Sequence, residues 1–587
     1  MKFSTFTFTA SAFISATTAA AVTYNNKSCH CFPGDSCWPS TSTWAQLNST
    51  VGGRLIATVP IGTPCHEPNY DAEVCAALQA DWTLVETHLN SPSSLMAPIF
   101  ANASCDPFTD SSTPCLLGNY VRYAINVTSV EDIQAGIKFA ECNNVRFVIR
   151  NTGHDFLGRS TGAGALSIWT HYLKDIEFKT WADSYYQGSA VTIGAGIEGW
   201  EILEAASAKG LVVVGGECPT VGLAGGYTQG GGHSALSTTF GLAADQTLQF
   251  EVVTAAGELV TASRAQNSDL YWALSGGGGG NYGVVVSMTV KTYPDAMVSG
   301  AGLEFAAAYT TADLFYEAVS KFHALLPAMV DNGTMVVYYF TNTFFIINPM
   351  TAYNKTSAEV EAILAPFVTV LDDLAIPFTV SYTQFDTYEE HYATYMGPLP
   401  YGNIGAEEYQ FGSRLVPRTV VQENNDALQV AYRNLTANGV MLVGIGTDVS
   451  APVESGGISN AVLPSWRKAL VHTYLTTAWN LTAPFSDMVR NADLMTDEYV
   501  PQLAAMVNGS GSYMNEADWQ EPNYKETFFG TNYAKLLSIK QKWDPSNLFY
   551  ATADVLGLAN ILAVKSAKIL FFENESDMDS SGTPVSS

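Results

Sequence analysis

Apolar and polar positions between residues 117 and 214 alternate in a way that predicts strands and helices taking turns. Residues 117–123 and 145–150 read as short buried strands. Between them, residues 130–142 place Val130, Ile133, Ile137 and Phe139 among Glu131, Asp132, Gln134 and Lys138, the spacing of an amphipathic helix. This strand–helix–strand unit delivers Asn151-Thr-Gly-His154 to the end of a strand, where α/β folds place ligands. A second set follows, with a strand over 190–195, a helix over 199–209 and a strand over 211–214, and it delivers Cys218 in the same manner. From about Met297 the pattern changes to long helices (311–326, 357–374) mixed with Tyr/Phe/Val/Thr strands (334–348, 378–382). That mixture predicts helices covering one face of an antiparallel sheet. Compact aromatic and Gly/Asn signals return over 524–550, and the Ser/Asp-rich stretch over 573–587 is expected to be disordered.

A chain of 587 residues exceeds one ordinary core, so two domains are expected, one possibly interrupted by the other. The charged fraction of 14% and net charge of −28 describe an acidic surface that repels nucleic acid and anionic membranes. Lys2, the apolar run over 6–14 and the small residues ending Thr18-Ala-Ala-Ala21 fit a secretory signal over 1–20. The late apolar stretch over 555–572 is interrupted by Lys565 and Lys568, so no membrane span is expected. Cysteine usage agrees with export to the exterior or a vacuole lumen. Cys29, Cys31, Cys37, Cys65, Cys75, Cys105, Cys115 and Cys142 crowd residues 21–142, an even set suited to disulfides, while Cys218 stands apart as a thiol with another role. In that compartment Cys29-His30-Cys31 reads as disulfide chemistry, and no metal is expected. Asn-X-Ser/Thr acceptors at Asn26, Asn48, Asn102, Asn126, Asn332, Asn354, Asn434, Asn480, Asn508 and Asn574 suggest a glycoprotein.

The chemistry concentrates in glycine-rich turns. Gly194-Ala-Gly196-Ile-Glu-Gly199, with Glu217 about twenty residues on, matches a nicotinamide-dinucleotide fingerprint. It begins nearly 200 residues into the chain, and an exported enzyme would lose a diffusible cofactor. The runs over 225–232 and 276–280 lie between strands rather than in a linker. Backbone N–H groups approaching a pyrophosphate explain them better. His154 and Cys218 each follow a predicted strand inside such a turn, where a planar ring can come close.

The strings Arg-Asn-Thr-Gly-His-Asp-Phe-Leu-Gly-Arg-Ser (150–160), Gly-Glu-Cys-Pro-Thr-Val-Gly (216–222), Gly-Gly-Gly-Gly-Asn-Tyr-Gly (277–283) and the segment 532–549 resemble the vanillyl-alcohol-oxidase superfamily, nearest its berberine-bridge-enzyme-like branch. The leader over 28–39 and the segment 161–171 resemble fungal secreted oxidases of the isoamyl-alcohol-oxidase type. The resemblance implies an α+β fold with a two-part PCMH-type FAD-binding domain and an inserted substrate domain of antiparallel sheet covered by helices. Its boundaries would be a Cys-rich segment over 21–115, a flavin domain over 116–297, a substrate domain over 298–510, and a C-terminal segment over 511–555 completing the flavin domain.

The resemblance further implies bicovalent FAD, with His154 on the 8α-methyl and Cys218 on ring carbon 6. Arg150, Asn151, Thr152, Gly153, Asp155, Gly158, Arg159 and Ser160 would wrap the diphosphate. Gly222, Gly226, Gly230, Gly231, Gly232, Val252 and Asn547 would line the rest. Val221 falls at an oxygen-gate position where valine accompanies oxidases, which favours O2 as acceptor. The expected reaction is oxidation of a small-molecule alcohol with release of H2O2, in volatile-alcohol metabolism or in a fungal secondary-metabolite or mycotoxin pathway. The departure from the family lies at Ser512-Tyr-Met-Asn-Glu-Ala-Asp518. Oligosaccharide oxidases carry a second tyrosine where this chain has Glu516. Desolvation beside a flavin is expected to raise the Glu516 pKa toward neutrality and suit it as base, with Tyr513 adding a hydrogen bond. A carbohydrate oxidase and a flavin-bearing binding glycoprotein without turnover are the alternatives.

Overall fold

A computed structural model describes residues 30–450 and 459–555. The expected signal segment, the acceptors Asn26 and Asn574, Cys29 and the Ser/Asp-rich tail lie outside the described residues.

The first layer is a four-stranded sheet in the order Leu55–Ala57, Tyr123–Asn126, Leu166–Trp169, Phe147–Arg150, with the last three parallel. The helix Val130–Asn143 connects two of them and buries Ile133, Ile137 and Phe139, as its spacing predicts. It ends where Asn144 turns left-handed at φ 51°. A five-stranded antiparallel sheet follows, in the order Ile176–Ala182, Gln187–Gly194, Val284–Lys291, Thr247–Val253, Leu259–Ser263. The chain from Val298 to Val507 then builds a seven-stranded antiparallel sheet. The helices Ala312–Asp331, Ser357–Asp373 and Asn425–Ala437 bury Phe315, Phe322, Phe367 and Tyr432 against it. Finally the chain returns: Met514, Phe528, Phe529, Leu536 and Ile539 pack into the same core as Val191, Phe250 and Met288. The architecture is α+β, with the flavin-type fold interrupted by a sheet covered on one face by helices.

Three expectations need correction. Residues 117–122 form no strand, because Tyr120 N–H bonds Leu117 C=O in a turn where Gly118 has φ 48°; burial of Tyr120 and Val121 explains the apolar signal. The stretch 334–348 is not one strand but a hairpin of Thr334–Phe340 and Phe344–Tyr353, turning over Thr341-Asn-Thr343. The strand Leu211–Val212 pairs with Tyr293–Pro294 rather than entering the sheet of Gln187–Gly194, so Cys218 sits in a loop and not at the end of a second strand–helix–strand unit. Among the described residues the disulfides are Cys31–Cys37, Cys65–Cys75 and Cys105–Cys115, as the crowding of cysteines predicts, and exposed Cys142 pairs with none of the described cysteines. These bridges fit an oxidising compartment. Among the described residues no helix is long and apolar enough to cross a membrane.

Candidate active site

A cavity of about 1480 Å³, its solvent-open mouth included, brings the glycine-rich turns together with the C-terminal segment. The strand Phe147–Arg150 delivers the first turn. Arg150 is fully buried and its guanidinium has no hydrogen-bond partner; burial, foremost, lowers its pKa to about 10. Gly153, at φ 99°, leaves no room for a Cβ, which would lie 2.4 Å from that guanidinium. Asp155 closes the turn by accepting from Leu157 N–H (3.1 Å), Ser160 N–H (2.6 Å) and the Ser160 hydroxyl (3.0 Å).

His154 Nε2 lies 2.8 Å from the Thr220 hydroxyl and 4.0 Å from Cys218 Sγ, so that two residues 64 apart in sequence meet on one cavity wall. Burial, reinforced by Arg150 and His88, lowers the His154 pKa to about 4 and keeps the imidazole neutral; burial also pushes the Cys218 thiol up. The loop that carries Cys218 is held from the other half of the molecule, because Tyr392 of the helix Tyr388–Tyr395 donates to the carbonyls of Gly216 (2.8 Å) and Glu217 (2.9 Å).

The remaining glycines shape the floor. A Cβ on Gly222 would lie 1.9 Å from Asn151 Oδ1, and one on Gly279 would lie 2.9 Å from Gly226 Cα, while Gly226 and Gly280 face open space. Asn151 Oδ1, Arg159 Nη2 and Gln229 Oε1 are buried without partners. Exposed glycine backbone beside orphaned donors and acceptors fits a dinucleotide with a pyrophosphate, and these residues would hold FAD.

The segment after Ser512 supplies the polar end. Asn515 Nδ2 donates to Gly226 C=O and to the Tyr513 hydroxyl, both at 2.8 Å. Glu516, 26% exposed, receives His472 Nε2 at 2.8 Å and His233 Nε2 at 3.1 Å from both oxygens. Glu217 stands behind His233, its Oε1 3.7 Å from Nδ1. The expectation that Glu516 is raised toward neutrality is overturned. Burial does push it up, but the two histidines outweigh burial and hold its carboxyl well below the ordinary range. Burial opposes charge on His233 too, yet Glu516 and Glu217 raise its pKa to about 10, whereas burial keeps His472 low and neutral. Tyr513 is pushed far up by burial and by Glu516, so it stays a phenol. The donor atoms of His233, His472 and Glu516 all lie within 4.8 Å of one another, close enough to hold a metal ion.

Of the residues singled out from sequence, Asn151, Thr152, Gly153, His154, Asp155, Arg159, Ser160, Cys218, Val221, Gly222, Gly226, Tyr513 and Glu516 line this cavity. Arg150 and Gly158 support it from beneath, a Cβ on Gly158 striking the Phe100 ring. Gly230, Gly231, Gly232 and Val252 are buried behind the wall, and Asn547 occupies a left-handed turn at φ 53° after the last helix. Gly194, Gly196 and Gly199 abut Leu173, His171 and Pro219 backbone, which makes the dinucleotide look-alike a packing turn. Sequence reasoning missed His233 and His472, as well as Phe411 and Tyr474 on the cavity wall, and placed Glu217 only in the dinucleotide look-alike. His233 directly follows the Gly230–Gly232 run, a usable signal; His472 has none.

A cleft of glycine backbone closed by a returning C-terminal segment defines a flavoprotein of the vanillyl-alcohol-oxidase type. Residues 121–263 match the family described as FAD binding domain, and residues 512–555 match the one described as berberine and berberine like. FAD-linked oxidoreductase ZEB1 of Gibberella zeae is 52% identical over 527 residues, covering 90% of this chain and 92% of that protein. FAD-linked oxidoreductase patO of Aspergillus clavatus is 50% identical, with the same coverages of 90% and 92%. The crystal structure of the VAO-type flavoprotein MtVAO615 from Myceliophthora thermophila C1 aligns with a TM-score of 0.86 at 41% identity, over 90% of this chain and 97% of that one. The chain belongs to the fungal FAD-linked oxidoreductases of the berberine-bridge-enzyme-like, VAO-type family.

Proposed function

We propose that this protein is an exported, glycosylated oxidase that converts an apolar secondary-metabolite alcohol to a carbonyl compound, with O2 reduced to H2O2. The observation that carries the reading is the meeting, on one cavity, of the His154–Cys218 pair and an ionised Glu516. The flavin domain comprises residues 116–297 and 511–555, and residues 298–510 form the substrate domain. Bound FAD supplies the hydride acceptor and passes the electrons on to O2.

Each residue then has a defined task. His154 and Cys218 would anchor the cofactor covalently; the Thr220 hydroxyl lies on Nε2 of His154, so Nδ1 would be the nitrogen free to bond carbon. Arg159, Asn151 and the Gly222–Gly226 backbone would hold the polar parts of the cofactor. Glu516, already ionised, takes the hydroxyl proton as the hydride leaves carbon; His233 and His472 keep its carboxylate charged and oriented, which also makes it a weaker base than a free carboxylate. Asp155 also lines the cavity, but its oxygens are engaged by its own turn. Val221 leaves space for O2. Met96, Phe156, Ile404, Phe411 and Tyr474 supply mostly apolar wall, which favours a hydrophobic or aromatic alcohol over a sugar. A relative named bifunctional decalin synthase calF, from Penicillium decumbens, is 40% identical and supports a place in secondary metabolism.

The test is anaerobic mixing of holoenzyme with a panel of aromatic, polyketide-type and carbohydrate alcohols, followed by admission of O2. Flavin bleaching by an apolar alcohol and stoichiometric H2O2 on reoxidation are expected. Bleaching by sugars alone would replace the substrate class. A flavin that no alcohol bleaches would overturn the enzymatic reading.

A further inference from the structure

Glu516 is the meeting point of two imidazoles, and the charges that act on the three groups are one another's and that of Glu217. Two carboxyl groups thus face two histidines in a largely buried site, where uncompensated negative charge is costly. We propose that His233, His472 and Glu516 form a site for one divalent cation of the zinc type, open to the cavity, whose occupant competes with the substrate hydroxyl for Glu516.

Two imidazoles and one carboxylate are a ligand set that zinc accepts, with a fourth position left for solvent or substrate. At metal–ligand distances of about 2.1 Å, the donor atoms around one tetrahedral ion lie about 3.4 Å apart. Here the Nε2-to-carboxylate distances are 2.8 and 3.1 Å and all the donor atoms fall within 4.8 Å, so a cation needs the carboxylate to part from each nitrogen by a few tenths of an ångström and the two imidazole nitrogens, no more than 4.8 Å apart, to sit about 3.4 Å from each other. The ligands come from rigid places. His472 is fully buried on the strand Ala469–Ala478, which is paired on both sides, and His233 is fixed by its carbonyl, which accepts from the Tyr227 hydroxyl at 2.8 Å. Glu217 Oε1 lies 3.7 Å from Nδ1 of His233, longer than a hydrogen bond but on the side where metal-bound histidines commonly have an outer carboxylate. Glu516 is at the cavity wall, which gives the ion its entry path. A cation held there occupies the carboxylate that would take the hydroxyl proton, so turnover and metal binding exclude each other. Only that consequence for turnover rests on the alcohol-oxidase reading.

The experiment strips holoenzyme with a chelator, titrates it with zinc chloride, and counts bound zinc by plasma mass spectrometry after gel filtration. One zinc per chain is expected in the wild type. His472→Asn and Glu516→Gln are expected to abolish it, and Glu217→Gln to weaken it by about 10–100-fold. His391→Asn, which changes a histidine buried elsewhere, keeps the wild-type affinity. Flavin content reports folding in every variant. Bound zinc is further expected to stop anaerobic bleaching by an alcohol. No zinc on the wild type, or zinc undiminished in both His472→Asn and Glu516→Gln, overturns the site; bleaching at full rate with zinc bound overturns the competition. Zinc bound as expected while no alcohol bleaches the flavin leaves the site standing and removes the alcohol reading.

Discussion

Replacing Glu516 by Gln keeps the size of the side chain but removes its charge and its capacity to take a proton. The carboxylate is the acceptor for three contacts, 2.8 Å from His472 and 3.1 Å twice from His233. An amide oxygen can accept one of them well, while its NH2 group meets a ring N–H. Loss of a positioned base typically slows the chemical step by about 10²–10⁴-fold, or roughly 2.7–5.4 kcal/mol of barrier at about 1.36 kcal/mol per tenfold. The same substitution removes an anion that sustains the charge on His233, and breaking one side of a buried pair costs about 3–5 kcal/mol of stability. Rate and stability therefore must be read separately. Stopped-flow reduction by a saturating alcohol under anaerobic conditions gives the first, and flavin-to-protein ratio with thermal unfolding gives the second. A fully flavinylated Glu516→Gln variant reduced at the wild-type rate would remove Glu516 from the chemistry.

Gly222→Ala places a methyl 1.9 Å from Asn151 Oδ1, so Asn151 must leave its bond to Ala195 C=O; most of the flavin should be missing from the purified variant, as read from the visible-to-ultraviolet absorbance ratio. Val221→Leu fills space on the cavity wall and is expected to slow reoxidation by O2 while reduction keeps its rate, which sequential-mixing kinetics resolves. Burial raises Glu407 to about 8 while Trp82 Nε1 donates to it at 2.5 Å. Because its folded pKa exceeds the unfolded value of 4.5, the native state holds the extra proton, and stability present below pH 4.5 is lost as pH rises through about 8. Glu407→Gln needs no proton to stay neutral, so its advantage over the wild type should grow by up to about 1.4 kcal/mol per pH unit across that window. Denaturation midpoints that run parallel in the two proteins from pH 4.5 to 8 would contradict it.

The strand Phe147–Arg150 and the helix Val130–Asn143 were legible because local apolar spacing and the burial it produces coincide there. Residues 117–122 misled for the complementary reason: Tyr120 and Val121 are buried in a turn, so apolar character reported burial without a ladder. The hairpin at Thr341-Asn-Thr343 carries neither Gly nor Pro and merged into its flanking strands. The cofactor turns were visible because glycines mark close approach wherever they fall in sequence. The polar end of the site was half visible. Glu516 stood out by its departure from a motif, but the sign of its pKa shift depends on His472, 44 residues away, and on His233, 283 residues away. Burial alone argued for a neutral acid; two partners brought in by the fold reversed it.

The proposed tie of one flavin to both His154 and Cys218 is tested most directly by mass spectrometry of the acid-denatured, protease-digested holoenzyme. The denatured protein is expected to stay yellow and to yield a single fragment in which the peptides containing His154 and Cys218 are joined through one flavin. A colourless denatured protein, or a flavin recovered on neither peptide, would contradict it.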